Sequence, residues 1–303
     1  MPNTAPRPWR MFLPLAIILF LALLWTVYWF VASSSAKDRL ASERARLAEQ
    51  GLVLTCTQEE WGGYPFHFEF SCSSPIVRYQ DRAELRPSKL LLVALAYAPW
   101  QIAALVDGPT TFAAEGLVPT EIGHERALAA LTIDKSWQPS FAAEIPGIAV
   151  GGVGKADKLM LFTRPSASAG TDVAIEASGM ALSFEDRPPL TIDSGSLKGT
   201  LQPDDRFRLD QFELKQGALR YGGSGMLALD EQRRISGRID TETNDIQALL
   251  AAVGPQLGLS DDKLANLRTM LGLLGNGAKI PILAKEGILY VGPFQVAELK
   301  PIY

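Results

Sequence analysis

One run of residues limits this chain more than any other. From Met11 to Val31 it reads MFLPLAIILFLALLWTVYWFV, without a single charge. Roughly twenty consecutive apolar residues are what a helix needs to cross a bilayer. Trp25, Tyr28, Trp29 and Phe30 crowd the far end, where rings settle at a membrane interface. Pro14 lies near the start, where proline disturbs a helix least. The run predicts a transmembrane anchor over residues 11–31, preceded by a cytoplasmic tail of residues 1–10.

A cleaved signal peptide is the competing reading, because Ser34 and Ala36 supply the small residues of a cleavage site. Signal cores are shorter, about 7–15 residues, so length favours a retained anchor. Orientation is contested by the flanks. Arg7 and Arg10 precede the run, whereas Lys37, Arg39, Arg44 and Arg46 follow it. Long domains translocate largely regardless of such charges. The cysteines therefore decide the side.

Cys56 and Cys72 are the whole cysteine supply, sixteen positions apart at the ends of CTQEEWGGYPFHFEFSC. That spacing is far from the CxxC of a redox dithiol or zinc knuckle. His67 and His124 are the only histidines, so a Cys/His metal site is poorly supplied. A structural disulfide fits better than two unpaired buried thiols. The expected geometry sets Leu52–Thr57 beside Phe66–Cys72, with WGGYP turning the chain and Pro65 starting the second strand. Such a bond persists in an oxidising compartment, which puts the body outside the cytoplasm.

After the span, AKDRLASERARLAEQ is rich in helix formers and stops at Gly51, which predicts a mostly solvated stalk helix over residues 36–50. Residues 51–303 then read as a periplasmic β-rich domain. Ile235, Gly237, Ile239 and Thr241 share one face of an alternating strand, and Val173/Ile175 and Leu182/Phe184 alternate likewise. Phe207 and Leu209 alternate until the phase slips at Phe212 and Leu214, which predicts a bulge or turn. Lys158–Thr163, apolar on both faces, reads as a more deeply buried strand. Ser88–Val106 is nearly long enough for a second span, but Pro99 favours two strands broken at Ala98-Pro99-Trp100. Two late helices are expected. One lies in NDIQALLAAVG. The other is capped by Ser260 and carries Leu264, Leu267, Met270, Leu271 and Leu274 on its apolar face. The fold class is mainly β with a few helices (α+β): an N-terminal transmembrane helix, then a large, curved, mostly antiparallel sheet.

The motifs of chemistry fail on inspection. Gly147–Ala156 resembles a phosphate loop, but Ala149 takes the first glycine position and Ala156 replaces the Ser/Thr that holds magnesium. Gly222–Met226 fails as a nucleophile elbow at Met226. His67, inside an aromatic strand, reads as structural. The expectation is a protein that is not an enzyme, with no catalytic residue, cofactor or metal. Net charge is −4, and excluding Arg7 and Arg10 leaves 27 basic against 33 acidic residues. Such a body has no general attraction for nucleic acid.

The cysteine-flanked GYPFHFEFSC, the later YAPW and Gly108-Pro109, and the tail IPILAKEGILYVGPFQV together resemble the bacterial domain-of-unknown-function family DUF2125. The resemblance covers most of the chain and implies architecture, because the family name carries no activity. The segment GGSGMLALDEQRRISGRIDTETNDIQALLAAVG is more loosely similar to AsmA-like envelope proteins. That likeness implies an inner-membrane anchor, long curved sheets with an apolar inner face, and a role in lipid transport or envelope maintenance. The expected function is thus a single-pass inner-membrane protein of the cell envelope that binds or passes lipid in an apolar β-groove. Its expected partners are the inner membrane, through the N-terminal helix, and phospholipid or another acyl-chain ligand. A non-enzymatic envelope scaffold is the first alternative, and a periplasmic hydrolase without a recognisable motif is the second.

Overall fold

The computed structural model describes residues 9–256 apart from 81, 168, 185 and 186, the isolated residues 265 and 269, and residues 279–301 apart from 293. The expected helix capped by Ser260 lies outside the described residues.

The anchor and the stalk are one helix, α1 (Trp9–Glu49). The serines at 33–35 do not interrupt it. Ser35 Oγ donates back to the Val31 carbonyl at 3.1 Å, a bond that leaves a helix intact. Gly51, at φ 86°, closes the helix, and its N–H donates to the Ala48 carbonyl at 2.9 Å. Among the described residues, α1 is the one helix long and apolar enough to cross a membrane. Trp29, Ser33, Ala36, Leu40, Arg44 and Leu47, spaced by threes and fours, form a buried or half-buried stripe on it. The stalk is therefore solvated on one side and docked on the other.

The body is one antiparallel sheet. Its first strands are β1 (Leu52–Thr55), β2 (Gln58–Gly62), β3 (His67–Ser73) and β4 (Ile76–Tyr79). β5 (Ala83–Leu95), β6 (Ala98–Ala114), β7 (Thr120–Gly123), β8 (Ala127–Ile133) and β9 (Pro139–Val150) follow. The meander continues through β10 (Gly154–Pro165), β11 (Thr171–Phe184), β12 (Arg187–Leu201), β13 (Phe207–Gln216), β14 (Leu219–Leu229) and β15 (Ile235–Thr243). It ends in β16 (Lys279–Lys285), β17 (Ile288–Val291) and β18 (Phe294–Glu298). From β8 onward each strand pairs with the next in the chain. At the other end β5 pairs with β3, β4 and β6, and β3 also pairs with β2. The short α2 (Ile246–Val253) follows β15, capped by Asp245, whose carboxylate accepts from Ala248 N–H at 2.9 Å.

Four local expectations need correction. Leu52–Thr55 does not lie beside Phe66–Cys72; it pairs with β4, and β2 takes the place next to β3. The turn is tight enough for Gln58–Gly62 to form its own ladder, which Trp61 and Phe70 fix as a cross-strand ring pair at 5.0 Å. Pro65 lies in the turn, with β3 starting at His67. The break after β5 falls at Ala96-Tyr97, ahead of Pro99, which β6 accommodates as its second residue. Lys158–Thr163 is not deeply buried: Phe162 is among the exposed apolar side chains, because no layer of described residues covers β10.

Candidate functional site

Ladder partners share a face, so the registers define continuous rows across the sheet. One row runs Phe68–Ala94–Ile102–Leu131–Phe141–Thr163–Val173–Gly199–Leu209–Gly225–Ile239–Ile282–Val291. The row beside it runs Phe70–Leu92–Ala104–Ala129–Ala143–Leu161–Ile175–Leu197–Phe212–Gly223–Thr241–Ile280. Neither contains a charged residue. At ~4.8 Å per strand the longer row follows a contour of about 58 Å, roughly twice a bilayer's hydrocarbon thickness. The opposite face carries ladder ion pairs instead, among them Lys158–Glu144 at 2.8 Å and Arg164–Asp172 at 3.3 Å. An open depression lined by Lys158, Met160, Glu176, Ser194 and Lys215 lies on that outer face.

Two devices keep the apolar face in phase. The first lies in β13, whose ladder with β14 shifts register between Leu209 and Phe212 and whose ladder with β12 shifts between Lys198 and Gly199. Phe207, Leu209, Phe212 and Leu214 therefore all point the same way. This is the expected bulge. A second slip crosses β11, where Gly179 takes φ 60°. Beyond it Met180 crowds the space above Gly195 together with Leu214, which puts Met180 on the apolar side. Leu182 therefore joins Val173 and Ile175, although strict alternation would part them. Neighbouring strands show the same slip in their burial: Ile192 is half-buried and Asp193 exposed in β12, while Ala156 is half-buried and Asp157 and Lys158 exposed in β10.

Nothing among the described residues covers most of this face. Only ten described apolar side chains are buried, and the one cluster they form is Trp29, Phe68 and Ala96. The surface area is 20114 Å², whereas a compact monomer of 32.9 kDa exposes about 12,500 Å². The free apolar helix accounts for part of that excess. The strands contribute too, since Ile175, Leu161, Leu197 and Ile239 are only half-buried by their ladder neighbours.

The covered part is where α1 meets β2, β3 and the β5–β6 turn. Trp29 lies against Phe68 with ring centroids 5.8 Å apart, and its Nε1 donates to the His67 carbonyl at 3.1 Å. Trp25 Nε1 donates to the Pro65 carbonyl at 2.9 Å, and the Tyr28 hydroxyl to the Ala96 carbonyl at 2.8 Å. Higher up, Arg44 lies over the Phe70 ring at 4.9 Å and pairs with Glu59 at 2.8 Å. Cys56 and Cys72 form the disulfide, with Cα atoms 5.4 Å apart, and Arg44 Nη2 reaches Cys56 Sγ at 3.7 Å.

The other residues singled out by sequence do not converge on this joint or on one another. His67 is half-exposed and sits 3.3 Å from Glu69 Oε2, on the face away from Phe68. Gly147–Ala156 is the hairpin between β9 and β10, and Gly222–Met226 is mid-strand in β14. Tyr64 and Pro65, read from sequence as a turn and as part of the stretch that carries the family resemblance, belong to the joint, as does Ala96, which no motif marked; the aromatic end of the apolar run is the signal that something must meet it. Tyr221 is a polar group on the apolar face; burial pushes its phenol above the ordinary range, and Thr241 bonds to it.

The family model described as an uncharacterized protein conserved in bacteria (DUF2125) matches residues 29–300. No curated protein and no solved structure matches the chain.

Proposed function

The chain belongs to the bacterial family DUF2125, and from that premise we propose that it is a membrane-anchored envelope protein whose uncovered apolar sheet face holds or conducts lipid acyl chains. The carrying observation is the pair of uncharged rows from β3 to β16 and β17, half-buried across most of their length. A soluble monomer tolerates apolar patches of only a few hundred Å², so a face of this extent calls for an occupant. Each methylene moved from water onto it contributes about 0.8 kcal/mol, so a long chain binds without a specific headgroup site. The proposed role is non-enzymatic. Trp29 supports a retained anchor, because cleavage after Ala36 would remove the ring that fills the one buried cluster among the described residues. The disulfide supports a body on the oxidising side, with the first residues in the cytoplasm. The AsmA-like likeness adds its one segment, which spans β14, β15 and α2.

Native mass spectrometry of the full chain in mild detergent tests the reading. Phospholipid should co-purify, and Ile239→Gln should release it while the far-ultraviolet circular dichroism stays unchanged. A lipid-free protein that also refuses fluorescent fatty acid would remove the proposal. An export-dependent reporter fused after Tyr303 should be active; activity only of a cytoplasm-dependent reporter would reverse the orientation.

The outer face favours a second, scaffold reading at one place. Val93, Ala103, Ala130, Ala142, Phe162 and Ala174 are ladder neighbours there, and Phe162 is exposed. If Phe162→Glu abolishes function while lipid still co-purifies, protein docking on that row takes precedence.

A further inference from the structure

The turn of GGYPF reaches far down α1. Tyr64 Oη lies 2.8 Å from Thr26 Oγ1, and the Pro65 carbonyl takes its hydrogen bond from Trp25. Both partners belong to the apolar run. Trp25 precedes Val31 by six residues, which is about 9 Å along a helix. Were this turn held in water, the membrane would have to end before Trp25. The apolar run left below, residues 11–24, would be about 21 Å long, well short of the ~30 Å hydrocarbon core.

The same sheet edge carries the next hairpin tips in ladder order. Leu95 pairs with His67, Gln101 with Thr132, Thr163 with Phe141, and Thr171 with Leu201. The first three tips end in rings with large exposure: Phe66 64%, Tyr97 62% and Trp137 82%. Asp134, at the third tip, is turned back onto its own loop, accepting from the N–H groups of Ser136 and Gln138. Farther along the edge the tips become charged, with Asp204 and Arg206 paired at 2.7 Å and Asp230 paired with Arg234 at 2.8 Å. The polar backbone at the start of this edge is also provided for. Carbonyls of Pro65, His67 and Ala96 each accept from a ring of α1. Only such satisfied backbone can enter the apolar layer cheaply.

We infer that these three tips, around Phe66, Tyr97 and Trp137, sit in the interfacial layer of the lipid bilayer that α1 crosses. The sheet then stands with one end in the leaflet, and the apolar row beginning at Phe68 opens there rather than in water. Acyl chains would reach the face without crossing an aqueous gap. Exposed rings are suited to this depth, where an aromatic body meets lipid and a polar edge meets headgroups. The inference rests on α1 as a span, and it stands whether or not the face carries lipid.

The test uses the full chain in nanodiscs of phosphatidylcholine, with an environment-sensitive dye at one introduced cysteine per variant; the native pair is bonded and does not label. The sites are Phe66→Cys, Tyr97→Cys and Trp137→Cys, with Asp204→Cys and Val153→Cys as comparators and Leu19→Cys within the span. Nitroxide-bearing acyl chains should remove roughly half or more of the emission at the three tips, as for groups ~5–10 Å below the surface, and almost none at the comparators. Tips no more quenched than the comparators, with Leu19→Cys strongly quenched, would overturn the seat and leave the span intact. No quenching at Leu19→Cys would overturn the span itself, and the seat with it. Quenching at Phe66→Cys alone would also overturn the three-tip seat. If a variant fails to fold, Trp137→Phe decides the matter by difference from the unmodified chain, which holds six tryptophans: if the emission that the substitution removes is protected from iodide in the nanodiscs the seat is supported, and if it is quenched as freely as tryptophan in water the seat is overturned.

Discussion

The two ends of the sheet use one amphipathic pattern and reach opposite outcomes. At β2, β3 and β5 the inward side chains meet α1. Trp29 closes over Phe68, Arg44 covers Phe70, and the disulfide ties the neighbouring strands. From β8 to β15 the same alternation continues; the short α2 packs on β14 at one end, and most of the side chains stay half-buried. Alternation states which side of a strand is apolar. It does not state whether anything covers that side. The difference between the regions is the partner, and the partner at the first end is α1, the helix long and apolar enough to cross a membrane.

If that contrast is right, equal truncations should cost unequal amounts. Trp29→Ala empties the one buried cluster and should destabilise the sheet by about 3–5 kcal/mol, read from thermal unfolding in detergent. A shift no larger than that of a truncation mid-sheet would erase the distinction. Joint replacement of Cys56 and Cys72 by serine frees a loop spanning 16 positions and should cost about 3 kcal/mol; reductant should do the same to the unmodified chain and nothing further to the variant. Ile175→Ala, on the uncovered face, should cost less, about 1–2 kcal/mol, since its side chain keeps contact with water and leaves no closed cavity behind. A loss several times larger would mean that something seals the face.

The smallest effect concerns charge on the outer face. Arg126 hydrogen-bonds Asp107 at 2.6 Å and holds its carboxyl below the ordinary range. A depressed folded value means the pair adds stability above the unfolded carboxylate value and loses it as pH falls through the folded one. Being largely solvated, it should contribute well under about 1 kcal/mol. Titration of thermal stability from neutral to acidic pH should show this small fall in the unmodified chain and its absence in Asp107→Asn.

The sequence exposed much of this architecture and hid specific parts of it. The long apolar helix, the disulfide, α2 and the one-sided strands were legible because each rests on local chemistry: uninterrupted apolarity, a lone cysteine pair, an Asp cap, period two. The slip at Phe212 was legible for the same reason. The pairing of β1 with β4 was not, because apolar LVLT reads as the better partner for β3 than polar QEEWG, and only the tight turn after Trp61 decides. The stalk's helix was legible from its run of helix formers, and α1 carries it on from the apolar run without a break; the side on which it docks was not. Ser33 is buried, a small residue in the half-buried stripe of α1. Lys158–Thr163 misled because apolarity on both faces normally signals depth, whereas here no layer of described residues covers β10.

Which side of the sheet meets lipid is the question on which the proposed function turns. A photo-crosslinking residue placed singly at Val173, Ala174, Ile175 and Glu176 in the full chain, within membranes containing radiolabelled phospholipid, reads that directly. Successive positions alternate between the two faces. An apolar face that holds acyl chains should give lipid adducts at Val173 and Ile175 and none above background at Ala174 and Glu176. Adducts equal at all four positions, or confined to the even-numbered pair, would contradict it.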